Sequence, residues 1–283
     1  MMTFPPAERT PRRRRWAWLA ALALLGAAVW YASLPAPLGP AGGVALEGHV
    51  TRMPDATAGS RRTLRVGAFN IHGCKGPDNR RDVARVAKCL EGLDFVALSE
   101  VHGPHLWQKL DQAGELGEQL GMAWLFAPNT RVWRHLDSGN GLLSALPVAS
   151  WQRIPLANYG GRGSRNAVLV DLKHGDRTVH VVLTHIARGV DRERQEQLRT
   201  VLALYLALGE PALLLGDLNS DASDPQIHQL LATPGVVDAV GKILGGKDTP
   251  RIDWIVARGL RLLDAGTRDN GASDHPAVWA EFE

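Results

Sequence analysis

The stretch Leu213-Leu214-Leu215-Gly216-Asp217-Leu218-Asn219-Ser220-Asp221 decides how the rest of the sequence is interpreted. Its short apolar run predicts a buried strand that stops at Gly216. Side chains two residues apart on an extended chain point to the same side, so Asp217 and Asn219 are expected to face one space. A carboxylate and a carboxamide suit a hard cation and a phosphate. Taken alone, the pair is more typical of an Asx-rich turn.

Polar residues end the other predicted strands in the same way, and this regularity changes the interpretation of the pair. A lone carboxylate inside an apolar strand needs a partner, because an unpaired buried charge is costly. Six strand ends that each carry a polar residue predict a site along one edge of a sheet sandwich. These strand-end residues are Asn70, Glu100, His185, Asp217 with Asn219, Asp253, and the segment Ser273–Pro276.

Strand and helix patterns alternate along the chain from residue 64. Alternating or fully apolar runs predict strands, and apolar residues at helical spacing predict amphipathic helices. Interleaved elements with several hairpin-like pairs indicate an α/β fold, a sandwich of two sheets with helices outside. Strands are predicted over 64–70, 94–98, 123–126, 141–146, 149–154, 167–172, 178–184, 212–215, 252–256 and 277–282, and helices over 78–93, 105–120 and 191–208.

The N-terminal segment carries four arginines, residues 12–15, followed by nineteen uncharged residues rich in Ala, Leu and Trp. At ~1.5 Å per residue, such a helix nearly spans a ~30 Å hydrocarbon core. Flanking arginines favour the cytoplasmic side, which places the following residues in the periplasm or outside the cell. A signal peptide that is cleaved to release a secreted protein is the alternative. The predicted segments are a basic cytoplasmic tail (1–15), a transmembrane signal anchor (16–34), a linker (35–62) and a catalytic domain (63–283).

Composition limits the classes of partner and of site. The chain is 45% hydrophobic, which is ordinary for a globular protein. Its net charge of +3 comes from the N-terminal part, since residues 1–65 hold nine Lys and Arg against three Asp and Glu, and the rest holds 23 against 26. The body therefore has no bulk charge that attracts nucleic acid. Cys74 and Cys89 are too few for a disulfide framework and are predicted to be free thiols.

The strand-end motifs together resemble the endonuclease/exonuclease/phosphatase superfamily, which includes pancreatic-type deoxyribonucleases, abasic-site endonucleases and neutral sphingomyelinases. Each tripeptide alone is weak, whereas all of them in the family's order is a specific signal that covers the body of the chain. The resemblance implies a deoxyribonuclease-like fold, a four-layer α/β/β/α sandwich of two mixed sheets. The matching segments are Phe69-Asn70-Ile71, Leu98-Ser99-Glu100, Ser164-Arg165-Asn166, Thr184-His185-Ile186, Gly216-Asp217-Leu218-Asn219, Arg251-Ile252-Asp253-Trp254-Ile255 and Ser273-Asp274-His275-Pro276.

The resemblance also implies a divalent cofactor, Mg²⁺ or Mn²⁺. Glu100 would bind the metal with Asn70 beside it, since magnesium takes one or two protein carboxylates plus water and phosphate oxygens. Asp274 would assist the metal or the base, although it also suits a turn before Pro276. Asn70 is in addition expected to contact the substrate.

The remaining roles that the resemblance implies concern the attacking water and the phosphate. Asp217 would orient or deprotonate the water, and Asn219 would hold a phosphate oxygen. His275 would stabilise the developing charge, and Asp253 would pair with it and raise its pKa. His185, which deoxyribonuclease-like and sphingomyelinase-like members share, would be a second acid–base group.

Arg165 resembles the deoxyribonuclease arginine that contacts phosphate, with an ordinary loop cation as the alternative. The implied activity is metal-dependent hydrolysis of phosphodiester or phosphomonoester bonds, by a nuclease or by a phospholipid or sphingomyelin phosphodiesterase. The implied partners are a phosphate-ester substrate (nucleic acid or a phospholipid head group) and the membrane through the N-terminal helix, with no obligate protein partner. The alternative function is a catalytically inactive family member that acts as a binding module.

Overall fold

The computed structural model describes residues 11–34, 36–48, 50, 63–104, 109–132, 135–159, 164–189, 191–243 and 251–283. The helices are α1 (Pro11–Ala32), α2 (Val83–Leu90), α3 (Gln112–Leu120), α4 (Asp191–Ala207), α5 (Pro225–Leu231) and α6 (Ala239–Ile243), and a 3-10 turn spans His72–Cys74. The strands are β1 (Ala36–Pro37), β2 (Ala41–Gly43), β3 (Leu64–Asn70), β4 (Phe95–His102), β5 (Ala123–Pro128), β6 (Thr130–Val132), β7 (His135–Leu136), β8 (Ser138–Ser144), β9 (Val148–Pro155), β10 (Asn166–His174), β11 (Arg177–His185), β12 (Ala212–Asp217), β13 (Val237–Asp238), β14 (Asp253–Arg258), β15 (Leu262–Arg268) and β16 (Ala277–Phe282).

Two large mixed sheets form the centre of the molecule. The seven-stranded sheet has the order β13-β14-β12-β11-β10-β9-β2, and the six-stranded sheet has the order β15-β16-β3-β4-β8-β5. Their inner faces share one core of aliphatic and aromatic side chains, to which Leu213 and Leu215 contribute from one sheet and Val66 and Phe282 from the other. Full burial of each such side chain contributes about 1.5–3 kcal/mol.

Helices cover the outer face of each sheet. On the six-stranded sheet, α2 and α3 bury Leu90 and Leu116 against the strands. On the seven-stranded sheet, α4 and α5 bury Tyr205 and Ile227. The predicted α/β class and the four-layer α/β/β/α arrangement are therefore confirmed.

Strand register brings distant parts of the chain together at the carboxyl ends of the central strands. Strand β11 runs parallel to β12, and His185 is aligned with Asp217. Strand β14 runs antiparallel to β12, and Asp253 is aligned with Asp217 from the other side. In the second sheet, β3 runs parallel to β4, so that Asn70 is aligned with Ser99, next to Glu100.

The predicted transmembrane anchor over 16–34 is wrong, and with it the predicted membrane localisation. In the part of the chain that the structure describes, no helix is long and apolar enough to cross a membrane. Helix α1 begins at Pro11, so its first turns contain the arginines, and it ends at Ala32. Its apolar part rises roughly 25 Å at ~1.5 Å per residue, which is short of a ~30 Å hydrocarbon core.

The stretch predicted to be a linker, 35–62, contains short strands within its described residues. Strand β1 pairs with β6, β2 pairs with β9 at the edge of the seven-stranded sheet, and Glu47 forms a bridge with Trp124. These pairings tie the segment after α1 to both sheets. Residues 51–62 of the predicted linker lie outside the described residues.

Both cysteines are free thiols, as predicted. Cys74 lies in the 3-10 turn and Cys89 lies in α2, and both are buried. Burial raises the pKa of the Cys74 thiol to about 12. The thiolate, which is the metal-binding and nucleophilic form, is therefore disfavoured at neutral pH.

Candidate active site

Asn70 joins the two sheets at the edge where their central strands end. Its amide Nδ2 donates to Glu100 Oε1 at 3.1 Å and to Asp217 Oδ2 at 3.1 Å. Asn70 and Asp217 are both 2% exposed. Ser273 Oγ donates to the Asn70 carbonyl at 2.7 Å, which holds the segment before β16 against the same residue. Residues from distant parts of the chain are thus fixed around Asn70, through its side-chain amide and its backbone carbonyl.

Glu100 is aimed at this point by an irregularity in β4. The pairing of β4 with β8 changes register between Leu98 and Val101, and Glu100 has a left-handed backbone with φ of 56°. Such irregularities turn a side chain away from its regular direction and occur next to active sites. A non-glycine residue in this conformation costs of order 1–3 kcal/mol and persists only where the surrounding structure enforces it.

The Asp217–Asn219 segment is an Asx turn and a pair of facing polar groups at once. Asp217 Oδ1 accepts from the Asn219 backbone N–H at 2.8 Å. Gly216 precedes it with φ of 130°, and a Cβ there would lie 2.0 Å from the Thr184 carbonyl oxygen. Only glycine therefore permits the close approach of β12 and β11 at this position. An Asx turn and a functional pair were alternative interpretations of the sequence, and the structure shows that the same two residues form both arrangements.

His185 lies between Asn219 and Asp217. Its Nε2 is 3.1 Å from Asn219 Nδ2 and 3.5 Å from Asp217 Oδ2. Burial, reinforced by the positive charges of Arg165 and His275, lowers the pKa of His185 well below its usual range. The imidazole is therefore neutral at pH 7. Since Asn219 Nδ2 is a donor, Nε2 is the acceptor and the proton is assigned to Nδ1.

His275 forms the second imidazole of the site and is paired with Asp253. Its Nδ1 is 2.7 Å from Asp253 Oδ2, and its Nε2 points toward Asp217, with 4.0 Å between Nε2 and Asp217 Oδ2. The hydrogen bond with Asp253 raises the pKa of His275 to about 9. His275 is therefore a cation at neutral pH, in contrast to His185.

Asp217 is the residue that the two histidines flank. Burial, followed by the negative charge of Asp253, raises the pKa of Asp217. The two hydrogen bonds from Asn70 and from the Asn219 N–H oppose this shift. A carboxylate whose pKa lies closer to neutrality is suited to accept a proton from water.

Arg165 and Asp274 lie at the margin of this group. Burial lowers the pKa of Arg165, although an arginine remains charged under all ordinary conditions, and the negative charges of Glu100 and Asp217 favour its cation. Asp274 is more than half exposed, and its Oδ1 is 3.3 Å from His72 Nδ1. The Asp274 carboxylate, which was predicted to assist the metal or the base, is thus turned toward His72 and is not hydrogen-bonded to Glu100 or Asn70.

Comparison with known proteins decides the family. The sequence model of the Endonuclease/Exonuclease/phosphatase family matches residues 67–275. The chain belongs to this family. Members of the endonuclease/exonuclease/phosphatase family are phosphoesterase hydrolases, and they generally use divalent metals. No curated protein matches the chain in sequence.

Solved structures of the endonuclease/exonuclease/phosphatase family share the fold. A family protein from Bacteroides vulgatus is 16% identical with a TM-score of 0.62, over 79% of this chain and 99% of that chain. The catalytic domain of human Nocturnin is 19% identical with a TM-score of 0.59, over 78% and 94%. A mannosyl-6-phosphatase from Bacteroides thetaiotaomicron is 16% identical with a TM-score of 0.60, over 78% and 99%. At this identity the likeness shows the fold alone.

Two sites are candidates for binding the divalent metal that the endonuclease/exonuclease/phosphatase family uses, a cluster of three side chains and Glu100. Asp217, Asp253 and His275 have ligand atoms within 4.8 Å of one another. His275, however, is a cation held by Asp253, and a protonated imidazole does not bind metal. Glu100 is the better candidate ligand, because only one of its oxygens accepts from Asn70 and because hard carboxylate oxygens suit Mg²⁺ and Mn²⁺. The residues present therefore fit the cofactor.

Sequence reasoning missed His72 as a part of the site, and it included Ser273 in a matched segment without a role. The Asn70 Oδ1 atom accepts from the His72 backbone N–H at 3.1 Å, and His72 has φ of 47°. The position of each residue could have indicated its part in the site. His72 lies two residues after a strand-end asparagine, and Ser273 lies in a matched segment. Neither residue type alone indicates a site.

Proposed function

We propose that this chain is a divalent-metal-dependent phosphoric ester hydrolase and that residues 63–283 form its catalytic domain. One observation carries the proposal. A buried carboxylate, Asp217, lies between a neutral imidazole and a cationic one, with a strand-end glutamate across the same asparagine. This arrangement combines a proton acceptor, a charge stabiliser and a metal ligand within one polar cluster.

Asp217 activates the attacking water in this proposal. Its carboxylate is held by Asn70 on one oxygen and by the Asn219 N–H on the other. A carboxylate that cannot rotate presents a fixed lone pair to the water, which favours in-line attack on phosphorus. The raised pKa of Asp217 allows it to accept the proton that the water loses.

The phosphoryl oxygens are stabilised by groups on the other sides of Asp217. The cation at His275 and the Arg165 guanidinium donate to the phosphate oxygens as negative charge develops. The amides of Asn219 and Asn70 would reach the phosphate by exchanging one of their present acceptors, which are His185 Nε2 and the Ile186 carbonyl for Asn219, and Glu100 and Asp217 for Asn70. His185, which is neutral, takes up or returns a proton as a second acid–base group. When bound by Glu100, with Asn70 and Asp274 nearby, Mg²⁺ or Mn²⁺ would offset the negative charge of the phosphate.

Removal of divalent metal is expected to abolish hydrolysis of bis-(p-nitrophenyl) phosphate by the full chain. The expected loss in kcat exceeds about 100-fold in EDTA, because several kcal/mol of charge stabilisation disappear with the metal. Excess Mg²⁺ or Mn²⁺ should restore the rate. Release of p-nitrophenolate is followed at 400 nm, or about that wavelength, with and without chelator.

Undiminished turnover in EDTA would rule out the metal assignment. Glu100→Gln serves as the matched variant, since it keeps the shape of the side chain while removing its charge, and it should raise the Mg²⁺ concentration needed for half-maximal rate. A panel of plasmid DNA, abasic-site DNA, RNA, sphingomyelin and phosphoinositides then identifies the substrate class. A folded chain that binds one of these without hydrolysing it would instead be an inactive binding module.

The pH dependence of kcat/KM is expected to follow His275. The pKa of its folded form is raised to about 9, so the cation is present at neutral pH and is lost as the pH rises through about 9. Activity should therefore fall on the alkaline side of pH 9 and not near the ordinary histidine value of about 6.5. Asp253→Asn removes the carboxylate that raises the pKa and should move this alkaline limb to lower pH. An alkaline limb that stays in place in Asp253→Asn would contradict the assignment.

A further inference from the structure

The N-terminal half of α4 presents three polar side chains, Glu193, Arg194 and Gln197, to the loops of the site. We refer to them as the α4 cluster. Glu193 is 2% exposed and Gln197 is fully buried. None of the three ends a strand, and none belongs to a matched motif or to the mechanism above. Buried polar side chains are retained only where they find partners, so their contacts indicate what they do.

Gln197 uses both ends of its amide to join two loops. Its Oε1 accepts from the Ala187 N–H at 2.9 Å, and its Nε2 donates to the Ala157 carbonyl at 2.7 Å. Ala187 lies two residues after His185. Ala157 lies in the connection that follows β9, and its neighbour Leu156 donates its backbone N–H to the Arg165 carbonyl at 2.9 Å. One buried side chain therefore fixes the backbone next to both residues.

Glu193 holds the same connection at a second point. Its Oε2 accepts from the Tyr159 N–H at 2.9 Å, and its Oε1 is 3.4 Å from Gln197 Nε2. Its negative charge also acts on Arg165 and favours the guanidinium cation. Glu193 thus positions the connection through the backbone and attracts the arginine through its charge.

Arg194 reaches the third loop. Its Nη1 donates to the Asn219 carbonyl at 3.0 Å and to Ser220 Oγ at 3.1 Å. Its Nη2 is 3.6 Å from Asp224 Oδ2. Asn219 has a left-handed backbone with φ of 43°, a conformation that needs support from its surroundings. The guanidinium supplies that support through the Asn219 carbonyl and the Ser220 hydroxyl.

We propose that the α4 cluster is a positioning device for the site, with Gln197 at its centre. It fixes the loops that carry Arg165, His185 and Asn219 relative to one another, without touching the substrate. The consequence for turnover rests on the proposed hydrolase function, whereas the consequence for loop rigidity does not. A displacement of about 1 Å in a reacting group costs up to about 100-fold in rate. Disruption of the α4 cluster should therefore lower turnover and also loosen the loops.

The test replaces Gln197 by Met, which is similar in size and cannot hydrogen-bond through an amide. Amide hydrogen exchange at Ala187 should become at least about tenfold faster, because its acceptor is gone. kcat/KM for bis-(p-nitrophenyl) phosphate should fall about 30-fold. In an Arg165→Ala, His185→Ala background the same change should cost no more than about fivefold, since Gln197 acts through both of these residues and effects of residues that act through one another are not additive.

Glu196→Met is the matched control. Glu196 lies in the same helix and pairs with Arg199 of that helix, with no hydrogen bond from its side chain to the three loops among the described residues. Its loss should leave kcat/KM within about threefold of the wild type. Arg194→Met is a second variant in case Gln197→Met does not fold, and it should speed exchange in residues 218–220 and lower kcat/KM about tenfold.

The outcomes separate the two proposals. Unchanged exchange at Ala187 in folded Gln197→Met, or equal losses in kcat/KM in the wild type and in the Arg165→Ala, His185→Ala background, would overturn the positioning role. Faster exchange in a chain that never hydrolyses phosphate esters would overturn the proposed function and leave the positioning role standing. Faster exchange together with a non-additive loss in kcat/KM supports both.

Discussion

Asp217→Asn is expected to lower kcat for phosphate ester hydrolysis about 10⁴-fold, the upper end of what a general base contributes. The amide keeps the shape of the side chain but accepts no proton from water. The amide has only one oxygen, so either Asn70 Nδ2 or the Asn219 N–H would face an NH₂ group and lose its hydrogen bond. Single-turnover rates with saturating Mg²⁺ measure the effect on the chemical step.

Asp221→Asn is the control for this variant. Asp221 lies four residues further along the same loop, and its carboxylate accepts from the Ser223 N–H at 2.8 Å and has no contact with the histidines of the site. Its replacement should change kcat less than about threefold. If Asp217→Asn also stayed within that range, the water-activating group would have to be sought elsewhere.

His275→Gln is expected to lower kcat about 10³-fold. The neutral amide donates weakly to a developing anion, and loss of one preorganised donor costs about 10²–10³ in kcat before the loss of charge is counted. The variant also leaves Asp253 buried without its cation, so a lower melting temperature should accompany the loss of rate. Asp253→Asn in the His275→Gln background should add little, because both residues act through the same imidazolium.

A second His–Asp pair in the chain provides the control. His180 Nδ1 is 2.8 Å from Asp171 Oδ1, nearly the same geometry as in the His275–Asp253 pair. His180 lies five residues before His185 on β11, or roughly 16 Å away at ~3.3 Å per residue. His180→Gln should therefore leave kcat within about threefold of the wild type. An equal loss in both variants would show that the effect on His275 is one of general stability.

The strand-end residues were predictable from sequence for a physical reason. Apolar runs mark strands, and the carboxyl ends of neighbouring parallel strands meet at one edge, so Asn70, Glu100, His185 and Asp217 were expected to converge. The structure brings them together with Asp253 and His275. The sequence indicated only that the strand stops near Gly216, and the reason for a glycine there, the close approach to the Thr184 carbonyl, is visible only in the structure.

Other features depend on tertiary contacts that leave no local pattern. The helix predicted over 78–93 begins at Val83, because Asp82 caps it by accepting from the Arg85 N–H and residues 78–82 form a turn instead. Strand β15 was missed, since its exposed face interrupts the apolar alternation. The contacts of Gln197 were equally invisible, because a glutamine in an amphipathic helix is ordinarily an exposed residue.

The position of β16 has a consequence for the order of events during synthesis. The last strand pairs with β3, the first long strand, and Phe282 is aligned with Leu64 across almost the whole body of the chain. The Ser273 hydroxyl that holds Asn70, and His275 itself, precede this strand directly. Most of the two sheets is translated before these residues leave the ribosome, yet the six-stranded sheet lacks an interior strand until then. A nascent chain should therefore remain inactive until β16 has emerged, and the long sequence separation of this pairing should make its closure a slow folding step.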